Sequence, residues 1–80
     1  MKVFYVTYRS LTKAQRARKE LLARGVRCEL IRTPRQLQSG GCGYSLRLNE
    51  REFRKAQPLP EGYSRVFVQE AGREAEAVIS

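Results

Sequence analysis

The feature that most constrains the fold of this chain is a change in the spacing of its apolar residues on either side of Gly25. Residues 3–8 are β-branched or aromatic throughout, which predicts a central strand. A spacing of three to four follows, and it predicts a helix that Ser10 or Thr12 caps and Gly25 ends. Beyond Gly25 the spacing returns to two over residues 26–31, which indicates a second strand.

These two periodicities also predict which side chains face the core. The helix is expected to pack on the sheet through a stripe of apolar residues, which are Leu11, Ala14, Ala17, Leu21 and Leu22. In the second strand Val26, Cys28 and Leu30 point inward by alternation, whereas Arg27 and Glu29 point outward. Cys28 is therefore expected to be a core residue.

The second half of the chain repeats the alternation of strand and helix. Residues 44–48 alternate apolar and polar side chains, as a half-buried third strand does. Asn49, with Glu52 three residues later, predicts the N-terminus of a short helix over residues 50–57. Residues 65–69 are then expected to form a fourth strand.

The resulting order, βαββαβ, is that of the split βαβ, ferredoxin-like α+β fold, in which a four-stranded antiparallel sheet carries two helices on one face. Right-handed crossovers place the strands in the order 4-1-3-2. We expect residues 1–70 to form a single domain and residues 71–80 a mobile C-terminal tail. The other face of the sheet would lack a helix layer. It is expected to present Tyr5, Thr7, Arg27, Glu29, Ser45, Arg47, Phe67 and Gln69.

The charge of the chain favours an anionic partner. Lys and Arg number 16 against 8 acidic residues, which gives a formal net charge of +8. Nucleic acid, an anionic small molecule and an acidic protein all fit such a balance, and composition does not choose among them. A surface of this kind also serves solubility alone.

The chain contains no His, and this absence limits the reactions and metal sites that it could support. Without His, catalysis by a Ser-His or Cys-His pair within one chain is excluded, and no zinc site has its usual ligands. We therefore predict no enzyme activity, no metal and no cofactor. No apolar run approaches the ~18 residues of a membrane span, so we expect no membrane association and a cytoplasmic location. In that compartment Cys28 and Cys42 stay reduced thiols rather than a disulfide.

One of these thiols lies in a glycine-rich connection. Thr33-Pro34-Arg35 is followed by Ser39-Gly40-Gly41-Cys42-Gly43. Glycines allow backbone N–H groups to converge on an anion, and such a setting stabilises the reactive thiolate form of cysteine. The alternative is a glycine-rich turn between two strands in which Cys42 only fills space. The spacing alone leaves both interpretations open.

These elements together resemble the putative selenium/sulfur carrier protein-like family of small, mostly bacterial proteins. The resemblance spans about residues 1–68 and is most specific in the Thr-Pro-Arg element and the Ser-Gly/Cys-Gly cluster. It implies a carrier that holds selenium or sulfur as a perselenide or persulfide on Cys42 and exchanges it with donor and acceptor proteins. Thr33, Pro34 and Arg35 match the family's preceding element, Gly43 matches the glycine after the cysteine, and Ser39, Gly40 and Gly41 complete the loop.

A different class of function uses the sheet face that lacks helices. Tyr5 and Phe67, interleaved with Arg27 and Arg47, are residue types that stack on bases and hold phosphates in small RNA- or DNA-binding modules. The third strand, however, lacks the aromatic-rich run of RNA-recognition sheets. Dimerisation of two copies through the same bare face is the structural alternative.

Overall fold

The computed structural model describes residues 2–37, 43–70 and 76–79 of the chain. Its strands are β1 (Lys2–Tyr8), β2 (Glu29–Arg32), β3 (Tyr44–Asn49), β4 (Arg65–Glu70) and β5 (Glu76–Ile79). Its helices are α1 (Leu11–Ala23) and α2 (Glu50–Lys55), and a 3-10 helix covers Arg35–Leu37 in the connection between β2 and β3.

The strands form one antiparallel sheet in the order β2-β3-β1-β4-β5. The predicted order of the first four strands and the ferredoxin-like α+β arrangement with two helices are confirmed. β5 is a correction, because residues 76–79 were assigned to a tail and instead extend the sheet beside β4. Residues 71–75 and 80 of that predicted tail lie outside the described residues.

Both ends of α1 follow from local side-chain and backbone chemistry. Ser10, one of the two predicted caps, accepts a hydrogen bond from the Lys13 N–H at 3.2 Å. At the other end Gly25 has φ +80°, and the Val26 N–H donates to the Leu21 carbonyl at 2.9 Å. This bond, with that from the Gly25 N–H to the Leu22 carbonyl, completes a Schellman motif. The left-handed φ explains why a glycine ends the helix.

Only part of the predicted apolar stripe of α1 faces the sheet. Ala14, Ala17 and Leu21 are buried, as predicted. Leu11 and Leu22 are 39% and 46% exposed, so their assignment to the core was wrong. Both leucines lie on one flank of the helix, beside the buried stripe rather than within it.

The main core lies between the sheet and the two helices. It contains inward residues of β1, β3 and β4 together with Ala14, Ala17, Leu21, Val26 and Ala56. Phe53 of α2 stacks on Phe4 of β1 with ring centroids 3.9 Å apart. Helix α2 ends at Lys55 rather than at residue 57, because Ala56 is already its C-cap and is fully buried.

The opposite face of the sheet is not bare, which corrects a second prediction. Tyr5 and Phe67 are only 8% and 9% exposed, and they form an apolar cluster with Leu37 of the connection between β2 and β3. Thr7 and Ser45, which also point to this face, are fully buried. The first part of the connection, up to Leu37, therefore packs against this face of the sheet.

The second strand begins later than its alternation indicated. Glu29 is its first residue, so Cys28 precedes the strand and is half-buried against the main core. Arg27 is exposed and also lies outside the strand.

Among the described residues, no helix has the length and apolar character that crossing a membrane requires.

Candidate functional site

The connection that contains Cys42 is closed at its base by the backbone. The last register pair of β2 and β3 is Arg32 with Tyr44. One step beyond it, the Thr33 N–H donates a hydrogen bond of 3.0 Å to the Gly43 carbonyl. The two strands therefore stay paired up to the residues that flank the loop, and the position of Gly43 is tied to the sheet.

A side-chain hydrogen bond strengthens the same base. The Oγ1 atom of Thr33 and the Oγ atom of Ser45 lie 2.7 Å apart, and both residues are buried. Because buried hydroxyl groups need partners, this pair fixes the rotamers of both side chains. We call Thr33, Gly43 and Ser45 the loop base.

The first half of the loop is anchored a second time. The Leu37 N–H donates to the Pro34 carbonyl at 2.9 Å, which closes the 3-10 turn, and the Leu37 side chain packs with Tyr5 and Phe67. Arg35, in the same turn, is exposed. Within the described part of the chain no carboxylate pairs with it.

The structure thus brings together only some of the predicted site residues. Thr33 and Gly43 meet at the loop base, and Pro34 and Arg35 lie in the adjoining turn. Four further predicted residues lie outside the described residues: Ser39, Gly40, Gly41 and Cys42.

The structure shows whether the backbone at Gly43 depends on the conformational freedom of glycine. Gly43 does not have a positive φ, in contrast to Gly25 and Gly62. A Cβ atom at Gly43 would meet no heavy atom of the described residues within 4 Å. Neither the backbone conformation of Gly43 nor crowding by that part of the chain therefore requires glycine at this position.

The second thiol has a different environment. Burial of Cys28 raises the pKa of its thiol, the nearby Arg18 guanidinium opposes this shift, and the Glu52 carboxylate adds to it. Glu52 accepts a 2.7 Å hydrogen bond from the Arg27 N–H, which lowers the pKa of the carboxyl and keeps it charged. A half-buried thiol beside a fixed negative charge forms little thiolate at neutral pH.

Two residues of the site were missed by sequence reasoning. Ser45 was assigned to a bare surface, and Leu37 was given no role. A signal for Leu37 was present, because it is the one aliphatic residue between Pro34 and Gly43 and loops seldom leave such a residue without contacts. For Ser45, nothing in the alternation of β3 distinguishes a hydroxyl in water from one beneath a loop.

The nucleic-acid alternative loses its structural basis. Base stacking needs exposed rings, but Tyr5 and Phe67 are buried, and the Tyr5 hydroxyl donates to Gln69 Oε1 at 3.1 Å. The same burial removes the argument that a bare apolar face must pair with a second copy. In the described residues, no group of three or more His, Cys, Asp or Glu side chains could hold a metal ion.

The fold and this site define a class: a small ferredoxin-like domain with a cysteine-containing loop that joins two neighbouring strands at one end of its sheet. The chain belongs to the family described as "Putative Se/S carrier protein-like", whose model matches residues 4–63 and so includes both helices and the whole loop. Searches of curated proteins and of solved structures found no match to the chain.

Proposed function

We propose that this protein is a carrier that holds one sulfur or selenium atom on Cys42, as a persulfide or perselenide, between a donor and an acceptor protein. Membership of the Se/S carrier-like family supports this class of function. The observation that carries the assignment to Cys42 is the hydrogen bond of the loop base, since Cys42 directly precedes Gly43 in the chain.

A carrier benefits from a thiol attached close to a rigid element. Gly43 is held through Thr33, and Leu37 is held in the apolar cluster with Tyr5 and Phe67. Residues 38–42 are therefore joined at both ends to anchored residues. Positions on such a scaffold can be presented reproducibly to another protein.

The properties of the other thiol support the same choice. Cys28 is half-buried, and its raised pKa disfavours the thiolate that sulfur transfer requires. A residue that packs against the main core would also have to accommodate an additional sulfur or selenium atom there. Cys28 is best explained as a structural residue.

The transfer is stoichiometric and balanced without an external oxidant or reductant. The Cys42 thiolate attacks the terminal sulfur of a donor persulfide, forming a new S–S bond while the S–S bond of the donor breaks. The donor leaves as a thiolate and takes up a proton. Arg35, which is exposed and has no carboxylate partner in the described residues, supplies a positive charge near the start of the loop.

Intact-protein mass spectrometry tests the proposal. The chain is incubated with a neutral small-molecule persulfide, and the addition of a single sulfur atom is expected. Cys28→Ser should still gain that atom, whereas Cys42→Ser should not. Sulfur that adds only when Cys28 is present, or wild-type protein that gains none, would rule out Cys42 as the carrier thiol.

A further inference from the structure

A group of exposed cations lies at one end of the sheet of this protein. We define the loop end by the register row that joins Arg32, Tyr44 and Tyr8, from which the Cys42 loop departs. Arg65 pairs with Thr7 in the next row, and Arg9 directly follows Tyr8. With Lys13 in the first turn of α1 and Arg35 in the loop, the loop-end cations are Arg9, Lys13, Arg32, Arg35 and Arg65, all exposed.

The described ion pairs lie at the other end of the sheet or in its middle. Glu70 meets Lys2 where β1 begins, and Glu20 meets Arg24 at the end of α1. Glu50 and Glu52 begin α2 directly after Asn49, which pairs with Val3 at that same end, and their partners are Arg54 and Lys55. The remaining pair, Arg47 with Glu29, lies at the start of β2.

The loop-end cations, in contrast, are not paired with carboxylates of described residues. None of them is in an ion pair with a described side chain. Two carboxylates with described side chains, Glu20 and Glu61, line an open cleft with Lys13. Glu20 is in an ion pair with Arg24, and Glu61 forms no described ion pair. Residues 38–42 of the loop contain no Asp or Glu.

Helix stability does not explain this placement. In α2 the first turn contains Glu50 and Glu52 and the last turn contains Arg54 and Lys55, the arrangement that the helix dipole favours. In α1 the first turn has no acidic residue and contains Lys13 instead. Positive charge at a helix N-terminus is unfavourable, so the cation there needs a different explanation.

We infer that the loop end, around the Cys42 loop, is a docking surface for an acidic face of the protein that donates or accepts the chalcogen. This inference rests on the proposed carrier function. Opposite charges on two surfaces speed encounter and select the partner, and the 39% exposed Leu11 adds an apolar contact at the same end. A protein fits better than a nucleic acid because Tyr5 and Phe67, the rings that could have stacked on bases, are buried.

Two synthetic peptides test the inference. Each contains one cysteine persulfide, flanked by glutamates in one peptide and by glutamines in the other. The Cys42 thiolate takes the terminal sulfur, the S–S bond of the peptide breaks, and the peptide leaves as a thiolate. At about 0.01 M salt we expect the glutamate peptide to load wild-type protein about tenfold faster or more, and at about 1 M salt the difference should vanish.

Two variants with equal net charge locate the effect. The loop-end variant is Arg9→Gln/Arg32→Gln/Arg65→Gln, and the remote control is Lys19→Gln/Arg27→Gln/Arg51→Gln. Each removes three positive charges, from +8 to +5, at exposed residues that form no described ion pair. The loop-end variant should lose the preference for the glutamate peptide, and the control should keep it.

The remaining outcomes separate docking from carrier chemistry. Equal loading by the two peptides, or equal loss of preference in both variants, would overturn the docking surface. If a neutral persulfide also fails to load Cys42, the carrier function is wrong. In that case the docking surface is tested without sulfur transfer. A glutamate peptide with serine in place of cysteine is titrated into the protein, and its binding at the loop end is observed by NMR. Tighter binding of single-stranded RNA than of that peptide at the loop end would replace the protein partner with a nucleic acid.

Discussion

The side chains of Thr33 and Ser45 meet beneath the loop between β2 and β3, with their Oγ atoms 2.7 Å apart and both residues buried. This pair lies beside the backbone hydrogen bond from Thr33 to Gly43. Two neighbouring strands are thus joined by side-chain and backbone contacts at the point where the candidate carrier loop begins and ends.

Thr33→Val should destabilise the protein through this pair. Valine has nearly the shape of threonine but cannot bond Ser45, so a buried hydroxyl loses a partner at a cost of about 1–3 kcal/mol. Urea denaturation measures the loss in the free energy of unfolding. The double variant Thr33→Val/Ser45→Ala should be less destabilised than the sum of the two single variants, and strict additivity would show that the two hydroxyls do not interact.

Leu37→Ala should be strongly destabilising for a loop residue. Leu37 is 4% exposed and packs with Tyr5 and Phe67, so its truncation leaves a cavity and should cost about 2–5 kcal/mol. Leu22→Ala is the matched control, since Leu22 is exposed and should change stability by about 0.5 kcal/mol or less. Similar losses in thermal or urea unfolding for the two variants would mean that the loop does not cover the sheet.

Tyr8→Phe should stabilise the protein or leave it unchanged. The Tyr8 hydroxyl is fully buried and finds no hydrogen-bond partner among the described residues, so removing it relieves a desolvation cost of up to about 1–3 kcal/mol. Burial raises the pKa of Tyr8 far above its ordinary value, and charge on Cys28 acts in the same direction.

The same variant should change the response to alkali. Because the folded pKa is raised above the unfolded value of about 10, the unfolded chain releases the Tyr8 proton first as the pH rises. The free energy of unfolding is therefore unaffected by this group below pH ~10 and falls above it. Stability measured from neutral pH to beyond pH ~10 should therefore fall less steeply in Tyr8→Phe than in wild type. Parallel curves would indicate that Tyr8 is solvated.

The two thiols should differ in their rates of alkylation. In Cys42→Ser the remaining Cys28 should react slowly with iodoacetamide, and the pH midpoint of its reaction should lie above the free-thiol value of about 8.5. In Cys28→Ser the remaining Cys42 should react much faster at neutral pH. Equal rates, or a faster reaction at Cys28, would contradict the choice of Cys42 as the carrier thiol.

Sequence reasoning succeeded where a local pattern determines the structure. The left-handed φ of Gly25, the Ser10 cap and the Asn49 cap each depend on a few adjacent residues. The antiparallel sheet in its predicted order followed from strand and helix periodicity and from the handedness of crossovers. The resemblance that pointed to the family also lay in local sequence, and the family match confirmed it.

The errors concern contacts between distant segments. Leu11 and Leu22 fit the helical spacing, yet the width of the contact with the sheet left them exposed. Residues 76–79 are a short stretch with no turn signal or alternation that marks a strand, and they form β5 because β4 offers an open edge with which their backbone can bond. Neither the packing width nor the open edge is visible in the segment itself.

The sequence alone determined the order of elements, the caps and the location of two thiols in different segments, because these depend on backbone preferences and periodicity within short stretches. Only the tertiary structure decided that Leu37 buries Tyr5 and Phe67, that Thr33 bonds Ser45, and that Arg9, Arg32 and Arg65 lie at one end without carboxylate partners in the described residues. These relationships join residues far apart in the chain. They exist because folding brings their side chains into one volume, where burial and Coulomb interactions act over distances of a few ångströms.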